Sequence, residues 1–146
     1  MNLGIYVSNF NDLDLIKEFT QTISNKKDLN ITDASIFYDD LGFTPPDINC
    51  GMFNSTDLWN FNGLLITTSL ETTIRALNIV NNINLCYYYG YENKVHPLPL
   101  IGLLRDGIDV IAKSETDAQE LYRKTKTKPK IIAKNFKDLI RGIRDE

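Results

Sequence analysis

The sequence predicts an α/β domain, a mostly parallel β-sheet with helices packed on both faces, and three observations predict it. Short continuous apolar runs such as Leu64-Leu65-Ile66 recur along the chain, which suits strands covered on both faces. Between them lie segments whose apolar residues repeat at helical spacing, Leu13, Ile16, Phe19 and Ile23 being the first. Polar residues fit to cap helices, Ser69 and Ser114 among them, begin several of those segments. Strands alternating with helices in this way favour parallel pairing through right-handed crossovers.

In chain order, Leu3 to Ser8 reads as the first strand, and Asn11 or Asp12 caps the first helix, which Asn25-Lys26-Lys27-Asp28 ends. Ala34 to Tyr38 is the second strand, closed by Asp39-Asp40 and a long loop through Gly42, Pro45 and Pro46. Cys50 to Phe53 reads as a short third strand, Asp57-Leu58-Trp59 as a brief helical turn, and Gly63 to Thr67 as the fourth strand. Leu70, Ile74, Leu77 and Val80 mark the next helix, supported by Glu71 and Arg75 four residues apart. Leu85 to Tyr89 is the fifth strand, with Tyr87 and Tyr89 expected on one face and Tyr88 on the other.

A short helix is expected in Pro97 to Leu104, with a proline in its first turn and Gly107 past its end. Ile108, Val110, Ile111 and Ala112 then form a buried strand. Ser114 with Asp117 is a capping-box-like start for a helix whose apolar face is Ala118, Leu121 and Tyr122. Lys128-Pro129-Lys130 stops it before a further strand at Ile131, Ile132 and Ala133, and Phe136, Leu139, Ile140 and Ile143 give a terminal amphipathic helix. The whole is expected to be one Rossmann-like three-layer domain spanning residues 1–146.

Composition agrees with that class. Hydrophobic residues at 42% and charged residues at 24% are ordinary for a globular domain of 146 residues, which buries roughly 70% of its unfolded surface. No apolar run is long enough to span a bilayer, and Met1 leads into a strand-like run without a basic region, so a cytoplasmic location without membrane association is expected. Cys50 and Cys86 lie in apolar contexts without paired spacing and read as free thiols. Heavy use of Asn, and of Lys over Arg, is compatible with an AT-rich, viral genome.

In an open parallel sheet, ligands bind beyond the carboxyl ends of the strands, so the residues following each strand are the ones to weigh. Asn9 and Asn11 follow the first strand, without the glycine-rich turn that a dinucleotide pyrophosphate needs, and no Walker A loop is present. Asp39 and Asp40 follow the second, where a carboxylate holds a ribose or a metal ion in some proteins and forms a turn in most. Thr67, Thr68 and Ser69 offer hydroxyls and N–H groups at a helix start, fit for an anion or for simple capping. Tyr91, Glu92 and His96 follow the fifth strand; Tyr91 is a ligand-binding candidate, and Glu92 and His96 are the weak catalytic candidates. A lone His builds no multi-His metal site, so no metal is expected, and with both phosphate-binding turns missing no cofactor is expected either.

The stretch from Phe61 to Asn135 resembles the N-terminal, acceptor-side domain of GT-B-fold glycosyltransferases, phage DNA β-glucosyltransferases most nearly. Asn60-Phe61-Asn62-Gly63-Leu64-Leu65-Ile66-Thr67-Thr68-Ser69, a helix, and the Tyr-rich strand ending near Glu92 carry the resemblance, together with Ile108-Asp109-Val110-Ile111-Ala112-Lys113-Ser114-Glu115. The glycine-rich turn that many members carry after the first strand is missing, and Lys134-Asn135-Phe136 stands in place of their Pro-Asn-Gly turn. The resemblance implies half of a GT-B fold, without the nucleotide-sugar domain and inactive in transfer alone. A non-catalytic structural or regulatory interaction protein is the alternative.

Charge is unevenly placed. The segment from Leu121 to Glu146 carries +6, against -9 for the remainder, within a net charge of -3. That basic segment is expected to meet an acidic partner, a second copy of the chain or a separate protein. A nucleic acid is the less favoured partner, because the lysines have no interleaved aromatics for base stacking.

Overall fold

A computed structural model describes residues 1–42, 48–79, 83–92 and 95–144. Pro45, Pro46 and Val80 of the expected loop and helix lie outside the described residues. Six strands, β1 (Asn2–Val7), β2 (Asp33–Tyr38), β3 (Gly51–Asn54), β4 (Gly63–Thr67), β5 (Ile83–Tyr89) and β6 (Asp109–Ala112), form one sheet of order β3-β2-β1-β4-β5-β6. Every neighbouring pair is parallel. Strands run outward from β1 to one side and then from β4 to the other, which is the doubly wound Rossmann-like order.

The connections are divided unequally between the two faces. Helix α1 (Leu13–Ile23) follows β1 and packs with α5 (Phe136–Arg144) on one face, against Ile5, Ile36, Ile66, Tyr88 and Ile111. The opposite face carries a 3-10 helix (Ser55–Asn60) and helices α2 (Leu70–Leu77), α3 (Pro97–Arg105) and α4 (Glu115–Thr125). Those cover Tyr6, Phe37 and Leu65 on one side and Tyr87, Tyr89 and Val110 on the other. The tyrosine run therefore splits by strand alternation as its period of two requires.

Local chemistry sets the helix starts. Asp12, rather than Asn11, caps α1 by accepting the Leu15 N–H at 3.1 Å. Ser69 and Ser114 do the same for Thr72 and Asp117, and the Ser114 hydroxyl also donates to Asp117 Oδ2 at 2.7 Å. Gly90 leaves β5 at a φ of +139°, where a Cβ would stand 2.7 Å from Lys113 Cβ, so the chain crosses closely over the end of β6.

Three expectations need correction. Ile131 to Ala133 does not extend into a strand. Only Ile132 bridges Ala112, through Ala112 N–H to Ile131 O at 3.1 Å and Ala133 N–H to Ala112 O at 2.9 Å, because Asn135 caps α5 at once. Helix α2 buries Thr72, Thr73 and Ala76, whereas Ile74 is exposed: Thr73 meets the buried Thr67 hydroxyl at the end of β4, and Ala76 packs with Tyr6, Phe37 and Leu65. Leu13 and Tyr122 are likewise exposed, since Leu15 on α1 and Leu121 on α4 take the positions facing the sheet. Among the described residues no helix is long and apolar enough to cross a membrane.

Candidate functional site

The strand order puts the topological switch point between β1 and β4, where one connection leaves for each face; in folds of this order the ligand crevice lies there, at the carboxyl ends of the strands. On the β1 side, Asn9 folds back on itself: its Oδ1 accepts the Asn11 N–H at 3.0 Å. Phe10 is buried against Tyr38, ring centroids 5.6 Å apart, and pins the turn. Asn9 and Asn11 are left exposed at the rim.

On the β4 side the hydroxyls are mostly used internally. Thr67 is fully buried, shares a 2.7 Å hydrogen bond with Thr73 and donates to Cys86 O at 3.3 Å. Ser69 Oγ accepts the Thr72 N–H, and the Thr73 hydroxyl donates to Ser69 O at 2.6 Å. Thr68, between them, is 7% exposed and makes no side-chain hydrogen bond among the described residues.

Glu92 closes the helix start. It reaches from beyond β5 so that Oε2 accepts the Leu70 N–H at 3.0 Å and the Tyr87 hydroxyl at 2.9 Å. A carboxylate on the first N–H of α2 stands where a ligand's phosphate would benefit from the helix dipole. Burial, and then the charge of Glu92, push the Tyr87 phenol well above its ordinary range, so it stays protonated and donates.

The remaining candidates are also engaged. His96 is exposed and caps α3, its Nδ1 accepting the Leu98 N–H at 3.3 Å. Tyr91 donates to Glu18 Oε2 at 2.7 Å, stacks on Phe136 and carries Lys113 Nζ 4.0 Å from its ring centroid. Burial first, then the hydrogen bond to Glu18, raises its phenol as well.

Asp39 follows β2 at the place where an acidic residue can meet a ribose, yet both its oxygens are taken. Oδ1 accepts the Tyr6 hydroxyl at 2.6 Å, and Oδ2 pairs with Arg75, which also holds Glu71 Oε1 at 2.5 Å. Burial, then Asp39, pushes the Tyr6 phenol up to about 12. Asp40 extends the backbone ladder, its N–H donating to Ser8 O at 2.9 Å. Sequence reasoning missed this Tyr6-Asp39-Arg75-Glu71 chain, although the Glu71 and Arg75 spacing supplied one link. No group of three or more metal-ligating side chains occurs among the described residues. Both cysteines are free, and burial raises each thiol, that of Cys50 to about 11.

In the basic segment, Lys124 pairs with Glu120 at 2.9 Å and Lys130 with Asp109 at 3.1 Å. Lys137 and Arg141 belong to α5 on the opposite face of the sheet from α4.

Strand order and helix placement define a three-layer parallel α/β domain of the Rossmann-like class, a scaffold consistent with nucleotide or sugar binding in general. No family model, curated protein or solved structure matches the chain.

Proposed function

We propose that this chain is a recognition module on a Rossmann-like scaffold that performs no chemistry by itself. The observation supporting this is Glu92: its carboxylate serves α2 and Tyr87 at the switch point, a structural task that competes with proton transfer to a substrate. His96 is held in the same way by Leu98.

Within that reading, the acceptor-side half of a GT-B glycosyltransferase is the finer assignment. The succession of β6, the Ser114-capped α4, the Ile132 bridge and the Asn135-capped α5 supports it, being the order of elements that carries the resemblance. A regulatory or structural interaction role is the alternative, supported by the internal use of Thr67, Ser69 and Glu92. Incubating the purified chain with several nucleotide sugars, with sugars and short DNA as acceptors, tests the whole. We expect neither hydrolysis nor transfer, and sustained turnover would refute the proposal. Saturable binding of an acceptor at the crevice without turnover favours the GT-B half; no binding to any of the panel favours the interaction role.

The partner we propose is a second copy, drawn by the basic segment to the acidic remainder of the chain. Sedimentation at low and high salt should show a dimer that weakens as salt rises. A monomer under both conditions removes the dimer, and tight DNA binding with a steep salt slope would replace it.

A further inference from the structure

A second concavity lies under the 3-10 helix, at the amino ends of β1 and β2 and so at the opposite end of the sheet from the switch point. Its volume is about 430 Å³, within the range of small-molecule sites, and its lining includes Asp33, Ser35, Phe37, Phe53, Asp57 and Phe61.

Strand register explains the hollow. Gly4 of β1, Ser35 of β2 and Gly51 of β3 stand side by side in one row across the sheet. Three successive strands thus present almost no side chain on a face that is elsewhere filled by Tyr6, Phe37 and Leu65. Aromatic rings settle onto the two glycines instead. A Cβ at Gly4 would lie 3.1 Å from both Phe37 Cε2 and Phe61 Cζ, and one at Gly51 only 2.6 Å from Phe53 Cε2. Phe37 is the hub, its ring centroid 5.2 Å from that of Phe61 and 6.0 Å from that of Phe53.

Between the rings stands Ser35. It is 8% exposed, and its hydroxyl makes no hydrogen bond among the described residues. A buried hydroxyl left without a partner is costly unless something fills the place beside it. Two carboxylates, Asp33 and Asp57, stand on the lining, and no Lys, Arg or His does. Ring faces and carboxylates both attract positive charge, while the apolar walls favour a compact hydrocarbon body.

We propose that this concavity binds a small organic cation, a protonated amine on an aromatic or compact apolar body. The apolar body packs among Phe37, Phe53 and Phe61, and the ammonium donates to Ser35 Oγ and to the carboxylates of Asp33 and Asp57. This site is independent of the switch-point crevice and of its proposed role.

The test is an NMR titration of the isotope-labelled chain at neutral pH with phenethylammonium, neutral phenethyl alcohol and phenylacetate. Phenethylammonium alone should give saturable shifts centred on Ser35, Phe53 and Asp57, weakening as salt is added. D33N/D57N should lose at least about tenfold in affinity, because it removes both negative charges facing the ammonium, and S35A a few-fold, because it removes one acceptor. Circular dichroism and thermal melts verify that the variants fold. Asp57 is exposed on the 3-10 helix, so D57N alone carries the comparison if the double variant does not fold. Equal binding of phenethyl alcohol, undiminished affinity in D33N/D57N or D57N, shifts mapping elsewhere, or a response only to lysine- or arginine-bearing peptides would each overturn the proposal.

Discussion

Replacing Glu92 by alanine should loosen the chain where three of its segments meet. The carboxylate ties the loop beyond β5 to the first N–H of α2 and accepts the hydroxyl of Tyr87, which is 0% exposed. Hydrogen bonds to a charged acceptor are worth about 1.5–3 kcal/mol each at full burial. The side chain of Glu92 is only half-buried, so water replaces part of what is lost at Leu70, whereas Tyr87 is left with a buried donor. The favourable interaction with the α2 dipole adds about 0.3–1 kcal/mol. Together these give a loss of about 2–3 kcal/mol, or a Tm lower by roughly 5–10 °C for a chain of this size. Urea unfolding followed by circular dichroism measures it. Glu92→Gln should fall between the wild type and Glu92→Ala, since its amide oxygen still accepts. A cycle with Tyr87→Phe should return a coupling of about 1 kcal/mol. Stability within about 0.5 kcal/mol of wild type for Glu92→Ala, the range of an uninvolved surface substitution, would show that the carboxylate does not bind these segments together.

Base should unfold the chain cooperatively. Tyr6 is held up to about 12 against an ordinary 10.0, first by burial, and burial raises Tyr87, Tyr88, Tyr89 and Tyr91 too. A folded pKa above the unfolded one gives stability that is complete below pH 10 and lost as pH climbs toward 12, so phenolate absorbance should rise together with loss of ellipticity. Independent, gradual ionisation from pH 10 in a chain that stays folded would contradict this. Phe136→Ala should cost about 3–5 kcal/mol in urea unfolding, because the fully buried ring meets Phe19, Tyr88 and Tyr91 and anchors α5 to the sheet. Thr67→Val should cost about 0.5–1.5 kcal/mol by the same measurement, a small loss because Thr73 keeps its bond to Ser69 O.

The sequence by itself determined the elements and their starts. Apolar runs and helical spacing placed the six strands and five helices found among the described residues, along with a seventh strand at Ile131 to Ala133 that is only a bridge, and Ser69 and Ser114 revealed their capping roles because a cap is satisfied within three residues of itself. The residues that follow the strands at the switch point were legible as well, since Asn9, Asn11, Thr68 and Ser69 adjoin strand ends that can be read from the chain. The tertiary structure decided what depends on facing surfaces. Only packing on the sheet, where Thr73 meets Thr67 and Ala76 joins Tyr6, Phe37 and Leu65, selected the buried side of α2, and only the fold brought Glu92 to Leu70, 22 residues away. The same holds for the row of Gly4, Ser35 and Gly51, whose members are separated in sequence and joined by strand order. Periodicity records which residues share a face of one element; it carries no information about which element that face will meet, because this is settled by long-range burial of the whole core.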